Sequence, residues 1–154
     1  MTDAFFRAGA GAVVLDASGR ILVLKRKGVA DQAWQLPQGG INAGETPIDA
    51  LYRELMEEAG LTRDDVEVIE STEEWWVYEL PVSYRNAKVG WGQAQRWFLC
   101  RLRTSHEAVR PDQIEVTDAD WVDAGELVGR ATAFRQPTYR RLIERFRLTT
   151  PSGP

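Results

Sequence analysis

The stretch from Gly39 to Leu61, GGINAGETPIDALYRELMEEAGL, constrains this chain more than any other. It reads as a glycine-rich turn, a helix and a glycine stop. Thr46 is placed to cap the helix, Pro47 suits its first position, and Asp49 stands where a capping-box-like contact needs it. Gly60 suits the left-handed position after the last turn. At about 100° per residue, Ile48, Leu51, Tyr52, Leu55 and Ala59 gather on one side, and Glu54, Glu57 and Glu58 fill a wedge of roughly 100° on another. One face is therefore expected to pack on a sheet while a neighbouring face presents carboxylates.

Those glutamates are like charges at i, i+3 and i+4, which repel. Glu57 and Glu58 also sit near the helix C-terminus, where the macrodipole disfavours negative charge by ~0.3–1 kcal/mol. A merely solvated face would carry lysine or arginine there. Something positive is expected among the three, and carboxylate oxygens suit a hard divalent cation, Mg²⁺ or Mn²⁺. Arg53 is expected to pair with Glu45 and tie the preceding loop to the helix. Gln38-Gly39-Gly40 and Gly44 let the backbone approach a ligand closely.

The remaining chain alternates strands and helices. Strands are expected over residues 8–15 and 20–26, joined by the turn Asp16–Gly19, and a polar loop over 27–33. A short extended piece follows at Trp34–Leu36, then strands at 66–71, 74–80, 95–102 and 119–122, with 81–92 as a loop. Asp123 can cap a short helix through Gly129. A last helix is expected over 137–146, with Tyr139, Leu142, Ile143 and Phe146 on one face. This pattern predicts an α+β fold, a mixed β-sheet flanked by helices in an α/β/α sandwich. The 154 residues suit one domain over 1–154, with a frayed tail over about 149–154.

Composition narrows the function. The formal net charge of −4 argues against a protein that coats nucleic acid by charge alone, though not against a phosphate-bearing substrate held through metal ions. No apolar run could span a bilayer, and the N-terminus lacks the pattern of a signal peptide. The lone Cys100 reads as a small buried apolar residue and fits a reducing, cytoplasmic compartment. His106 is the only histidine and reads as a solvated loop residue, so histidine-based zinc chemistry is excluded. Of six tryptophans, Trp75, Trp76, Trp97 and Trp121 lie in expected strands, while Trp34 and Trp91 flank glycine-rich loops.

The positions Gly39, Glu45, Arg53, Glu54, Leu55, Glu57, Glu58, Gly60 and Leu61 reproduce the signature of the Nudix box, and the chain resembles that superfamily. The resemblance implies hydrolysis of a phosphoric anhydride with a divalent metal, Glu54, Glu57 and Glu58 as ligands and catalytic residues, Glu45 and Arg53 as an orienting pair, and the Gly39 carbonyl in the metal shell. WQLPQGGINAGE with ALYREL, the run Gly92–Phe98, and Ala133-Phe134-Arg135 with Tyr139-Arg140-Arg141 are similar to the bacterial RNA pyrophosphohydrolase group, which overlaps with dinucleoside polyphosphate hydrolases. That likeness runs from about Arg7 to Phe146.

It implies two or more Mg²⁺ or Mn²⁺ ions and removal of pyrophosphate from 5′-triphosphate RNA ends. Glu115 would be a further metal ligand or base, and Glu57 or Glu115 the proton acceptor. Arg7 and Arg26 would contact phosphate or terminal nucleotides, Gln93 would lie near the phosphate site, Phe134 would stack on a base, and Arg135 would stand close to a phosphate. Ala33 and Arg135 depart from the group's usual polar residue and lysine. Diadenosine polyphosphates, nucleoside triphosphates, an idle Nudix-like binding module and a homodimer remain open at this stage.

Overall fold

The computed structural model describes residues 4–28 and 33–148. Eight strands form one mixed sheet: β1 Phe6–Leu15, β2 Ile21–Arg26, β3 Trp34–Gln35, β4 Gln38–Gly40, β5 Val66–Ser71, β6 Trp76–Glu79, β7 Gly92–Leu102 and β8 Val116–Val122. Three helices accompany it: α1 Pro47–Ala59, α2 Ala124–Arg130 and α3 Gln136–Arg145. No helix among the described residues is long and apolar enough to cross a membrane. The expected tail and residues 29–32 of the expected polar loop lie outside the described residues.

The sheet is built around β1 and β7, which run parallel from Phe6 opposite Gly92 to Leu15 opposite Arg101. The other edge of β1 is shared. β2 pairs with it only at Leu15–Ile21, and β4 pairs with it at Gly9–Gly40, Ala10–Gly39 and Gly11–Gln38. β2 then diverges to lie between β3 and β8. β7 is shared likewise, by β6 along its first residues and β5 along its last.

Period-two alternation sends side chains to two cores. Ala10, Ala12 and Val14 of β1, Leu22 and Leu24 of β2, and Phe98 and Cys100 of β7 pack with Leu51 and Leu55 of α1. Val13, Ile21, Val23, Trp97 and Leu99 face the other way, against Leu127 of α2 and Tyr139 and Leu142 of α3. The α/β/α sandwich follows from that alternation. Tyr139 sits edge-on to Trp97, with ring centroids 6.3 Å apart, and its hydroxyl accepts the N–H of Leu36 at 2.9 Å. That bond holds the segment between β3 and β4 against the helical layer.

The cap of α1 forms as its sequence predicts: the Thr46 hydroxyl accepts from the Asp49 N–H, and Gly60 takes φ 69°. Asp123 caps α2 through the Glu126 N–H. Several strand bounds differ from expectation: β1 starts at Phe6, β6 at Trp76, β7 at Gly92 and β8 at Val116. The glycine-rich turn at Gln38–Gly40 is a strand, because β1 offers it an unpaired edge and pairing overrides the low strand propensity of glycine.

His106 is exposed, as a loop residue should be, but it is not idle. Its Nε2 lies 2.8 Å from Asp16 Oδ2, and its ring stacks on Trp121 at 4.5 Å. Asp16 is buried at the β1–β2 turn. Burial pushes its carboxyl up, but hydrogen bonds from Arg20, Ser18 and His106 win and hold it below the usual range.

Replacing Tyr139 by phenylalanine removes only the hydroxyl and strands the Leu36 N–H. Urea unfolding should show a loss of ~1–3 kcal/mol, the cost of an unsatisfied buried donor.

Candidate active site

Helix α1 carries its glutamates against β4. A side chain at Gly39 would run into the Glu54 carboxylate, so a larger residue there would displace that glutamate. Arg53 organises the rim. Its Nε and Nη2 donate to the two Glu45 oxygens at 2.8 and 2.9 Å, Nη2 also donates to the Gly40 carbonyl at 2.7 Å, and Nη1 reaches Glu54 at 2.8 Å and Glu57 at 3.3 Å. The expected Glu45–Arg53 pair is present and fastens the β4–α1 loop to the helix. Arg53 holds the Glu45 carboxyl down at about 2, and its own pKa is raised in return.

Glu58 points inward and is 1% exposed. Arg26, at the end of β2, donates to Glu58 Oε1 at 2.8 Å and lies 3.6 Å from Glu115 Oε2. Burial pushes the Glu58 carboxyl well above the ordinary range, with Arg26 opposing and Glu54 and Glu115 adding to the rise. Burial also raises Glu54, against the pull of Arg53. The positive charge expected among the glutamates is thus supplied in part by two guanidinium groups. The last turn of α1 carries no basic residue of its own.

These groups line a cleft of about 200 Å³: Gly39, Glu54, Glu57, Glu58 and Glu115 on its acidic side, with Arg7, Arg26 and Lys88 facing them. Glu115 comes from the loop before β8, far along the chain, and lines the same cleft as the α1 glutamates. Among the described residues, no three acidic, histidine or cysteine side chains already converge as a finished metal cage; Arg26 and Arg53 stand between them. The donor set fits a hard divalent ion nonetheless. It is all oxygen, one buried Glu58 oxygen (Oε2) has no hydrogen-bond partner, and the Gly39 backbone lies against Glu54.

A second cavity of about 270 Å³ adjoins the cleft and shares Arg26 with it. Trp34, Tyr78, Tyr84, Phe134 and Arg135 line it. Phe134 lies between Tyr78, at 6.1 Å between centroids, and Tyr84, at 5.4 Å. Arg135 stands 5.0 Å from the Phe134 ring and 3.4 Å from the Tyr78 hydroxyl. Gln93 lines this aromatic cavity rather than the carboxylate cleft, directly across the ladder from Arg7. Its Oε1 accepts from Gln95, which also donates to Gln38.

Sequence reasoning did not single out Tyr78, Tyr84 or Lys88. Tyr78 read as an ordinary strand residue. Tyr84 and Lys88 lay in a stretch read only as a loop, where the signal was an asparagine followed four residues later by glycine. Among the tryptophans, Trp76 and Trp97 are core and Trp75 is exposed, while Trp34 joins the aromatic cavity.

A carboxylate cleft on a glutamate helix, clamped by an arginine to a glycine strand, marks a hydrolase of phosphoric anhydride bonds, and residues 5–146 match the NUDIX domain. The chain belongs to the Nudix family. It is 41% identical over 145 residues to an RNA pyrophosphohydrolase of Pseudomonas putida, covering 90% of each chain. It is 38% identical over 150 residues to one of Proteus mirabilis, covering 94% of this chain and 84% of the relative. The fold superposes on the E. coli dihydroneopterin triphosphate pyrophosphohydrolase with a TM-score of 0.76 at 22% identity, covering 94% and 97% of the two chains. It superposes on a C. elegans Ap4A hydrolase with a TM-score of 0.70 at 21% identity, covering 92% and 98%. At such identities the structures speak to the fold alone.

The depressed Glu45 carboxyl has a consequence for acid stability. The unfolded chain binds a proton at this glutamate near 4.5 and the folded chain only near 2, so stability falls as pH drops through that window. Glu45→Gln should flatten the acid limb of stability between pH 4.5 and 2, read as the urea midpoint against pH.

Proposed function

We propose that this protein is a metal-dependent RNA 5′-pyrophosphohydrolase that converts 5′-triphosphate ends to 5′-monophosphate ends. One observation carries the reading: a carboxylate cleft and an aromatic cavity lie side by side with Arg26 common to both. A polyphosphate joined to a base needs that pair of environments. The likeness to the RNA pyrophosphohydrolases of Pseudomonas putida and Proteus mirabilis supports the RNA end as the substrate.

In this reading Glu54, Glu57, Glu58, Glu115 and the Gly39 carbonyl hold two or more Mg²⁺ or Mn²⁺ ions. When bound, the metal neutralises phosphate charge and lowers the pKa of water. The chain's own residues do the rest. Glu57 or Glu115, with side chains 57% and 62% exposed, takes the proton from the attacking water, since no histidine lies in the cleft. Arg53 and Glu45 fix the helix against β4 and set the direction of Glu54 and Glu57. Arg7 and Arg26 bind phosphate oxygens, and Arg135 adds charge at the mouth of the aromatic cavity. Phe134 stacks on a terminal base, a contact worth ~1–3 kcal/mol.

The decisive assay compares turnover of triphosphorylated RNA with diadenosine tetraphosphate in Mg²⁺ and in Mn²⁺. RNA should be the better substrate; a strong preference for the dinucleotide would overturn the RNA assignment. Glu57→Gln should cut turnover by ~10²–10⁴-fold while leaving the thermal midpoint unchanged. Near-wild-type turnover in that variant would sink the mechanism.

A further inference from the structure

One loop lies against both cavities. Residues 80–91 connect β6 to β7. Asn86 and Val89 line the aromatic cavity, and Lys88, between them, lines the carboxylate cleft. The loop is held in shape by its own backbone. Asn86 Oδ1 accepts the N–H groups of Lys88 at 2.8 Å and Val89 at 2.9 Å, a side-chain turn of the kind asparagine favours. The Asn86 carbonyl accepts from Gly90 at 2.8 Å. Gly90 takes φ 65°, and a side chain there would strike Phe5. Trp91 N–H donates to the Phe5 carbonyl at 2.8 Å, so the loop is fastened to the chain two residues before Arg7.

The charges in the cleft are unequally committed. Arg26 is tied to Glu58 and Glu115, and Arg53 to Glu45, Glu54 and Glu57. Among the described residues Lys88 forms no ion pair, and neither does Arg7 of β1, although both line a cleft with four glutamates. An ammonium is a compact charge suited to a phosphate oxygen, and a pinned loop spares much of the cost of placing it. The base of the loop is closed as well, by the Leu80 N–H donating to the Trp91 carbonyl at 2.7 Å.

We infer that Lys88 is a phosphate-positioning residue, holding the terminal phosphates of a 5′-triphosphate end while Asn86 and Val89 of the same loop flank the base. The inference rests on the RNA-end reading above. With the base in the aromatic cavity, the phosphates run into the cleft, and the outermost ones are those beyond reach of the base-side residues. Lys88 therefore separates triphosphate from monophosphate ends.

The test uses two probes of one labelled oligoribonucleotide, one with a methylene-bridged, non-hydrolysable 5′-triphosphate and one with a 5′-monophosphate. Binding is read by fluorescence anisotropy in Mg²⁺. Wild type should favour the triphosphate probe at least tenfold. Lys88→Ala should lose about tenfold or more for that probe, as for a charged hydrogen bond, and less than twofold for the monophosphate probe. Lys88→Arg should restore most of the difference, and Asn86→Ala should lose it in part by loosening the loop. Thermal midpoints check that each variant folds, and Lys88→Gln stands in for alanine if that variant does not. Equal losses for both probes, or none, overturn the role of Lys88 while wild-type selectivity keeps the RNA-end reading. Wild type without triphosphate preference overturns both.

Discussion

The parallel ladder between β1 and β7 is the contact on which the rest of the molecule hangs. It joins two distant parts of the chain, and both strands use their outer edges twice. Because β2 leaves β1 after one pair, β4 can occupy the vacated edge. The same divergence carries the end of β2 sideways, bringing Arg26 to Glu58 and within 3.4 Å of the Gln38 carbonyl. The fork in the sheet is therefore what creates the cleft. On the β7 side, the second fork places Tyr78 of β6 next to Gln93, so the aromatic cavity has the same architectural origin.

Electrostatics then makes the cleft what it is. Burying Glu58 is costly, and Arg26 offsets that cost without cancelling it. Glu54 is balanced by Arg53, which also grips the loop before the helix. Removing either arginine would leave a buried carboxylate uncompensated, and that is worse than lacking the pair altogether. The helix dipole adds to the stress at Glu57 and Glu58. The negative charge of the cleft is thus held from two sides, by Arg53 at the rim and by Arg26 from the sheet.

Much of this was legible in the sequence, for a physical reason. α1 carries its cap, its stop, its packing face and its acidic face within one contiguous stretch, so local rules suffice to read it. The interspersed strand and helix segments likewise foretold a mixed sheet flanked by helices. The pairing of Glu45 with Arg53 follows from proximity in sequence. What could not be read were properties that arise only from distant contacts. β4 is a strand because β1 needs a neighbour, not because Gln-Gly-Gly favours extension. Lys88 and Tyr84 gain meaning only when a loop folds over a cavity built by other elements. His106 looked solvated because Asp16 and Trp121, its two partners, are remote in the chain.

The placement of the chain's single cysteine and single histidine has one more implication. Cys100 is buried in the sheet with its thiol pushed up to about 12 by burial, and His106 is occupied at the opposite edge of its turn by Asp16 and Trp121. Neither borders the acidic cleft. Among the described residues, the cleft is lined by carboxylates, glycine backbone, an amide and three cationic side chains, with no sulfur or imidazole. A thiol-directed oxidant or alkylating agent thus finds no target in the cleft itself.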